Sequence, residues 1–207
     1  MKKLRFAIVI LLICSCSENA DQDISSNSDT LNLNKNALEE DGSNSGLSYL
    51  KIKERNGVEL KNDSLKKIID SYFEAEPSPG IESLTDFILE MTERQLTFTF
   101  GKCSSDPQSL TKDGNANCVG YAAFFNSLMN YALRKKVFAG KYKCHHYVGK
   151  IFYDDTNVNA LFKNDPFFKD HDYNSIESKE GKNIAVDPSL YEYLGIKRVS
   201  TKKPERK

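Results

Sequence analysis

The stretch Cys118-Val-Gly-Tyr-Ala-Ala-Phe-Phe-Asn-Ser-Leu-Met-Asn-Tyr-Ala-Leu133 carries apolar side chains on nearly every face of a helix. A helix that is apolar all round packs in the middle of a core rather than at a surface. The polar segment 113–117 precedes it. Lys135 and Lys136 follow it, where cations suit the negative end of the helix dipole. The sequence therefore predicts a buried central helix that begins at Cys118.

Two further helices and a short strand are predicted before this central helix. The apolar residues of 65–73 and of 84–91 recur at three- and four-residue spacing, which is typical of amphipathic helices. The segment Leu96–Phe100 alternates in the manner of a strand. Residues 101–117 are polar and rich in turn-forming residues, so we expect a loop there.

After the central helix the pattern changes to that of strands. Residues 137–153 are rich in Val, Phe, Tyr and Ile, and Ile184–Asp187 forms a final short strand before a proline. The residues between them, 154–183, are polar and irregular. Helices followed by strands indicate an α+β fold over residues 47–197, with N-terminal helices and a central buried helix packed on an antiparallel sheet.

The two ends of the chain are expected to lie outside this domain. Residues 1–15 combine a basic start with a short apolar run, which is the pattern of a signal peptide. The run ends in Ile13-Cys-Ser-Cys16, which resembles a bacterial lipobox and makes Cys16 the expected lipidation site; an ordinary secretory signal is the alternative. Residues 16–46 are predicted to be a disordered tether and 198–207 a basic tail. The sequence thus predicts an exported protein, anchored to the membrane of a bacterial cell envelope through a lipid.

Composition excludes several classes of protein. The 207 residues contain 29 Lys and Arg against 29 Asp and Glu, whereas a nucleic-acid-binding protein needs a surplus of cations to neutralise phosphates. No apolar run reaches the roughly 18 residues of a membrane-spanning helix. Glycine-rich phosphate loops and the C-x-x-C and H-E-x-x-H patterns are missing from the sequence, so we expect neither a cofactor nor a metal.

Cys118 lies at the start of the central helix, which is the position in the sequence that most favours a reactive side chain. The free N–H groups and positive dipole end of a helix start stabilise a thiolate, and they can bind the oxyanion that forms on an attacked carbonyl. Taken alone, a buried structural thiol is the alternative. His145 and His146 lie on a predicted strand, however, and Asp187 ends the last one. A thiol, an imidazole and a carboxylate suit a nucleophile, a base and the group that orients the base.

Three short motifs together resemble the transglutaminase-like superfamily, which belongs to the papain-like thiol enzymes. They are Cys-x-Gly-Tyr-Ala at Cys118, His-x-aromatic-Val at His145 and Val-Asp-Pro-Ser at Asp187. The resemblance covers residues 80–190 and implies an α+β scaffold with a Cys-His-Asp triad. It implies that Cys118 is the nucleophile, His145 the base and Asp187 the residue that holds the imidazole. His145 is favoured because Tyr147 then takes the place of an aromatic residue of the family.

Some features depart from the family pattern. The aromatic residue of the family is normally Trp, whereas this position holds Tyr147. His145 and Asp187 are 42 residues apart, so residues 154–183 are expected to be an insertion, either a lid over the substrate or a surface loop. His146 is the alternative base, and only one of the two histidines can face Cys118 because neighbouring strand residues point to opposite faces.

Two further sets of residues have expected roles. The candidates for a second oxyanion donor are Gln95, Asn115 and Asn117. Cys103 and Cys144 are the natural disulfide pair if Cys118 stays free in an oxidising compartment. Such a bridge ties the loop before the nucleophile to the strand that carries the histidines.

The residues and the resemblance lead to two functional hypotheses. The first is a cell-envelope thiol enzyme that attacks amide or peptide carbonyls of a protein or peptide substrate through an acyl-thioester. Water then gives hydrolysis, as in a cysteine protease, and an amine gives acyl transfer. The second is a catalytically inactive transglutaminase-like lipoprotein that binds or scaffolds, because a fold can persist without its chemistry.

Overall fold

The computed structural model describes residues 46–162 and 169–202, which form a mixed α/β domain. The helices are α1 (Asp63–Ala75), α2 (Ile81–Gln95), α3 (Pro107–Asp113), α4 (Cys118–Ala132) and α5 (Pro188–Leu194). The strands are β1 (Leu47–Arg55), β2 (Thr97–Phe98), β3 (Asn115–Ala116), β4 (Tyr142–Tyr153), β5 (Thr156–Asn157), β6 (His171–Ser178), β7 (Asn183–Val186) and β8 (Ser200–Lys202), and a 3-10 helix covers Val158–Phe162. Helices combined with a mostly antiparallel sheet confirm the α+β class.

The main sheet closes on itself. Its strand order is β7-β6-β4-β1-β8, and β5 pairs with β4. These pairs are antiparallel except for β1 with β8, which is parallel. The N–H of Val199, beside β8, donates to the carbonyl of Ala185 on β7 at 3.0 Å. The first and last strands of the order therefore meet, and the sheet curls round.

Helix α4 lies in the core, as the sequence predicts. Phe124 and Leu128 have no exposed surface. The strands contribute Cys144, Ile176 and Val186 to the same core, and α1 and α2 pack on the helix as well. Each fully buried Phe or Leu side chain is worth about 1.5–3 kcal/mol, so the helix is held firmly in place together with the residue at its start.

Local interactions fix where α4 begins. The side-chain oxygen of Asn117 accepts hydrogen bonds from the N–H groups of Val119 at 3.1 Å and Gly120 at 3.2 Å, which is an N-cap. A Cβ atom on Gly120 would lie 2.9 Å from the Cβ of Ala116. The glycine of the Cys-x-Gly motif is therefore needed for close approach to β3. Together these contacts place Cys118 at the start of the helix.

The elements before α4 follow the predictions in part. The helices predicted around 65–73 and 84–91 are confirmed as α1 and α2. Of the strand predicted at Leu96–Phe100, only the two residues of β2 pair. The predicted loop 101–117 is wrong in its middle, because Asp106 caps α3 and Pro107 occupies its first turn.

Two predictions about the sheet are wrong. Residues 154–183 are not an insertion, since β6 runs through them and lies between β4 and β7 in the middle of the sheet. Ile176 is its one aliphatic residue, so the alternation that marks a strand is missing. The predicted domain end at residue 197 is also too early, because β8 lies within the predicted basic tail and pairs with β1.

Several predictions fall on residues that the structure does not describe. The signal peptide, the lipidation of Cys16 and the tether concern residues 1–45, and the last five residues of the basic tail also lie outside. Between residues 46 and 202, leaving out 163–168, no helix has both the length and the apolarity to cross a membrane.

Candidate functional site

Cys118 is the first residue of α4, and its side chain is nearly buried, with 8% of the residue exposed. The next two N–H groups of the helix are bound by the side chain of Asn117. The N–H of Cys118 precedes them, at the position where a helix start binds an anion. The sulfur and a donor for an oxyanion thus belong to the same residue.

His171 begins β6 and lies opposite Gly149 of β4. Its Nε2 is 2.7 Å from Oδ2 of Asp187, and its side chain lies close enough to Cys118 for the two to interact. Since Nε2 faces the carboxylate, Nδ1 is the ring atom left for the thiol. Burial lowers the pKa of His171. The interactions with Asp187 and Cys118 raise it by a larger amount, so the pKa lies well above 6.5. A raised pKa favours the protonated ring of His171, which is the form that follows transfer of a proton to it.

Asp187 follows β7 and is completely buried. It caps α5, because its Oδ1 accepts from the N–H of Ser189 at 3.1 Å, the N–H of Leu190 at 3.2 Å and the Ser189 hydroxyl at 2.7 Å. Its Oδ2 accepts from His171 and, at 2.6 Å, from the hydroxyl of Tyr49. Burial raises the pKa of Asp187, but His171 and these donors lower it by more. The carboxylate is thus charged and held at both oxygens.

The structure brings Cys118 and Asp187 to one site, and the imidazole between them is that of His171. The sequence analysis missed His171 because β6 was read as an insertion. One signal could have found it. His171 and Asp187 are 16 residues apart, the separation of two neighbouring antiparallel strands, whereas the 42 residues from His145 did not fit a hairpin.

His145 is not the histidine beside Asp187. Its Nδ1 lies 2.6 Å from Oε1 of Glu54, and its ring stacks on Tyr147 with 5.4 Å between centroids. On the sheet it lies opposite Ser175. Ser175 is four residues along β6 from His171, or about 13 Å at the usual rise of a strand. The expectation that His145 lies beside Asp187 is therefore wrong, and His171 is the histidine at that position.

His146, the alternative base, belongs to a second histidine–carboxylate pair. Its Nε2 is 2.8 Å from Oδ2 of Asp172, and the two side chains are 3% and 1% exposed. The guanidinium of Arg55 also binds Asp172, with its Nε contacting Oδ2 and its terminal nitrogen 3.1 Å from Oδ1. Burial raises the pKa of Asp172, but His146 and Arg55 lower it overall. His146 is thus occupied by a partner other than Asp187.

The expected disulfide between Cys103 and Cys144 is wrong, since both thiols are free. The sulfur of Cys103 accepts a hydrogen bond from the N–H of Asn117 at 3.2 Å. Cys144 lies in the core on β4, and burial raises its pKa far above the ordinary value. The first thiol supports the turn before α4, and the second is an unreactive core residue.

The three candidates for a second oxyanion donor have different surroundings. Gln95 is exposed at the end of α2, and the side-chain nitrogen of Asn115 donates to the carbonyl of Asp113 at 3.1 Å. Asn117 adjoins Cys118, but its oxygen is used by the helix cap. The backbone N–H of Cys118 is therefore the donor that the fold places best. No group of three or more His, Cys, Asp or Glu side chains in the described part of the chain is arranged to hold a metal ion.

The fold and the site together define an α+β protein with a Cys-His-Asp cluster, in which a helix start, a strand start and a strand end converge. Such a cluster can generate a thiolate, transfer its proton and bind an oxyanion. Comparisons with models of known protein families, with curated proteins and with solved structures find no match to this chain.

Proposed function

We propose that the protein is a thiol enzyme that attacks amide or peptide carbonyls and forms an acyl-thioester on Cys118. One observation carries the proposal. The ring of His171 binds the carboxylate of Asp187 at 2.7 Å and lies close enough to Cys118, at the start of a buried helix, for the thiol and the ring to interact. Structural thiols rarely have both a charged imidazole partner and a helix start.

The steps follow from the order of the three groups. His171 takes the thiol proton, and the sulfur of Cys118 bonds to the carbonyl carbon, whose oxygen becomes an oxyanion near the N–H of Cys118. When the intermediate collapses, the carbon–nitrogen bond breaks and the imidazolium gives its proton to the leaving amine. Water or an amine then attacks the thioester carbon while His171 takes a proton from it, and the carbon–sulfur bond breaks to release the carboxylic acid or the new amide. His171 then gives its proton to the sulfur, which regenerates the thiol. Asp187 keeps the ring oriented and stabilises its charge throughout.

A papain-like, transglutaminase-like arrangement is part of the proposal. It is supported by the glycine two residues after Cys118, by the core position of α4 and by the antiparallel strands that carry His171 and lead to Asp187. His171 replaces His145 in the role that the motif suggested. The substrates proposed are peptides or proteins, because these supply the amide carbonyls that such a thiol attacks.

The N-terminal sequence supports a location on the cell envelope. The basic start, the apolar run and Ile13-Cys-Ser-Cys16 are the features of a lipoprotein signal, so we place the lipid on Cys16. Labelling of expressing bacteria with a radioactive fatty acid tests this. The label should appear on the wild-type protein and on Cys14→Ser, and it should be lost from Cys16→Ser. Equal labelling of both variants would contradict the assignment.

The enzymatic proposal is tested with p-nitrophenyl acetate, an activated ester that acylates nucleophilic thiols. The wild-type protein should release a burst of p-nitrophenol and carry the acetyl group on the peptide that contains Cys118, as seen by mass spectrometry. His171→Ala should suppress the burst about 100-fold or more. The matched control is His145→Ala, which removes the other partly exposed histidine and should leave the burst within about twofold of wild type.

The same experiment decides between the enzyme and an inactive binding or scaffolding protein. Acylation that occurs equally on Cys103 and Cys118, and that is insensitive to His171→Ala, would show that Cys118 has no special reactivity. Such a result would favour the scaffolding protein. Cys144 serves as an internal reference, since a completely buried thiol with a raised pKa should not react in the folded protein.

A further inference from the structure

Tyr49 lies on β1 and has no exposed surface. Its hydroxyl donates to Oδ2 of Asp187 at 2.6 Å, the same oxygen that accepts from His171. The two residues are 138 positions apart in the chain, so the contact forms only in the folded domain. A short hydrogen bond to a buried charged carboxylate is among the stronger hydrogen bonds in proteins.

We propose that Tyr49 is a positioning residue of the candidate site, which acts through Asp187 to set how strongly the carboxylate holds the proton on His171. The inference rests on the proposed function, because it assigns Tyr49 a role in that reaction. Tyr49 is then a fourth group of the Cys-His-Asp cluster. It acts through Asp187 and contacts neither the reacting sulfur nor the substrate.

The contacts of Asp187 show which effect Tyr49 has. Three donors from Ser189 and Leu190 hold Oδ1 in place. Loss of the Tyr49 hydroxyl therefore leaves the carboxylate where it is. What changes is the charge on Oδ2, which is partly neutralised by Tyr49 in the wild-type protein and is fully directed at His171 without it. A more negative Oδ2 attracts the imidazolium more strongly.

Tyr49 is suited to this role at every ordinary pH. Burial and the charge of Asp187 raise the pKa of Tyr49 well above 10, so the hydroxyl keeps its proton and remains a donor. The ring is held in place by Tyr173, with 4.8 Å between ring centroids. A phenylalanine at position 49 can therefore keep the packing while it loses only the hydrogen bond.

The described groups that face His171 are few. They are the Cys118 thiol at the start of α4, the carboxylate of Asp187, the Ser189 hydroxyl 3.5 Å from Nε2, and the ring of Tyr49, whose centroid is 6.1 Å from that of His171. On β4 the opposite residue is Gly149, which brings no charge. Among these groups the carboxylate of Asp187 is the one that Tyr49 contacts.

The test is an NMR titration of the histidine ring protons in the full-length protein. The chain has three histidines, so His145→Ala and His146→Ala assign the signals by elimination. In Tyr49→Phe the titration midpoint of His171 should rise by about half a pH unit or more. The rate of acylation by p-nitrophenyl acetate, plotted against pH, should show an alkaline limb that moves to higher pH as well. The matched control Tyr173→Phe removes a hydroxyl from the neighbouring buried ring and should leave both values unchanged.

Two failures can be told apart. If wild-type protein is acylated on Cys118 but Tyr49→Phe has the wild-type His171 midpoint, the role of Tyr49 is overturned and the proposed function stands. If wild-type protein is not acylated on Cys118 at any pH, the proposed function is overturned, and the inference with it. A shift of equal size in Tyr173→Phe would also overturn the role of Tyr49, because the change would then follow from altered packing.

Discussion

The described part of the chain contains two histidine–aspartate pairs with nearly the same geometry. His171 lies 2.7 Å from Asp187, and His146 lies 2.8 Å from Asp172. The carboxylates belong to the same part of the domain and are 0% and 1% exposed. The first pair meets the sulfur of Cys118 at a helix start, and its ring is 17% exposed. The second pair meets the guanidinium of Arg55, and its ring is 3% exposed.

A histidine–carboxylate hydrogen bond therefore does not by itself define a reactive site. The third group and access decide the role. A thiol can pass its proton to an imidazole and become a nucleophile, whereas a guanidinium stays charged and can only neutralise the carboxylate. We therefore assign chemistry to the pair with Cys118 and stability to the pair with Arg55.

The largest expected effect separates the two histidines by reactivity. His171→Ala should slow alkylation of Cys118 by iodoacetamide at pH 7 about 100-fold or more, because the thiolate loses its cationic partner. His146→Ala should leave the rate per folded molecule within about twofold of wild type, since His146 is bound to Asp172. The rates are measured by mass spectrometry of the Cys118 peptide. Equal slowing of alkylation in both variants would contradict the different roles assigned to the two pairs.

For the free energy of unfolding we expect the pair of His146 and Asp172 to matter more than it does for the alkylation of Cys118. Asp172→Asn leaves Arg55 and His146 without their charged partner in a mostly buried place, and it should lower the free energy of unfolding by about 3 kcal/mol. The alkylation rate of Cys118 in the folded fraction should change little. Urea unfolding followed by circular dichroism measures the first quantity. A loss below about 0.5 kcal/mol would show that this second pair is not a structural anchor.

The pH dependence of stability should distinguish the pairs further. The pKa of Asp172 is lowered from 3.8 by His146 and Arg55 against the effect of burial, so its contribution is present above pH 3.8 and is lost as pH falls through the folded value. The pKa of His171 is raised above 6.5, so its contribution is present below pH 6.5 and is lost as pH rises through the folded value.

Urea unfolding between pH 3 and pH 9 measures both limbs. Relative to wild type, Asp172→Asn should flatten the acid limb and His171→Ala the alkaline limb. An acid limb that is unchanged in Asp172→Asn would mean that other carboxylates cause the loss of stability at low pH, and Asp187 is the first of these to examine because its pKa is also lowered.

The smallest expected effect concerns the helix start that only the reactive pair adjoins. Asn117→Ala removes the cap of α4 and should lower the free energy of unfolding by about 1 kcal/mol. Asn62 caps α1 in the same way, with its side-chain oxygen bound to two backbone N–H groups. Asn62→Ala is therefore the matched control. Both should lose similar stability, but only Asn117→Ala should also slow the alkylation of Cys118.

The parts of the fold that could be predicted are helices that bury one face, or all faces, in the core, because such burial leaves a regular pattern of apolar residues in the sequence. Helices α1, α2 and α4 have such patterns, and the position of Cys118 follows from the polar turn that precedes it. Asp187 was found because a short apolar strand and a proline enclose it. These features depend on local sequence, which is why they could be read directly.

The parts that could not be predicted depend on long-range pairing. β6 has a polar sequence because it carries His171 and Asp172, so the site itself removed the strand signal. β8 consists of three residues, Ser200–Lys202, and it is recognisable as a strand through its pairing with β1. His145 was chosen by its motif, and only the register of β4 against β6 shows that it lies opposite Ser175.

The parallel pairing of β1 with β8 has a consequence for how the chain folds. The first strand of the domain cannot complete its hydrogen bonds until the residues around Lys202 are available, so closure of the sheet is a late event with high contact order. Such topologies fold slowly. The strand that carries Tyr49 therefore reaches its final pairing, with Tyr49 opposite Thr201, only after synthesis of the whole domain has finished.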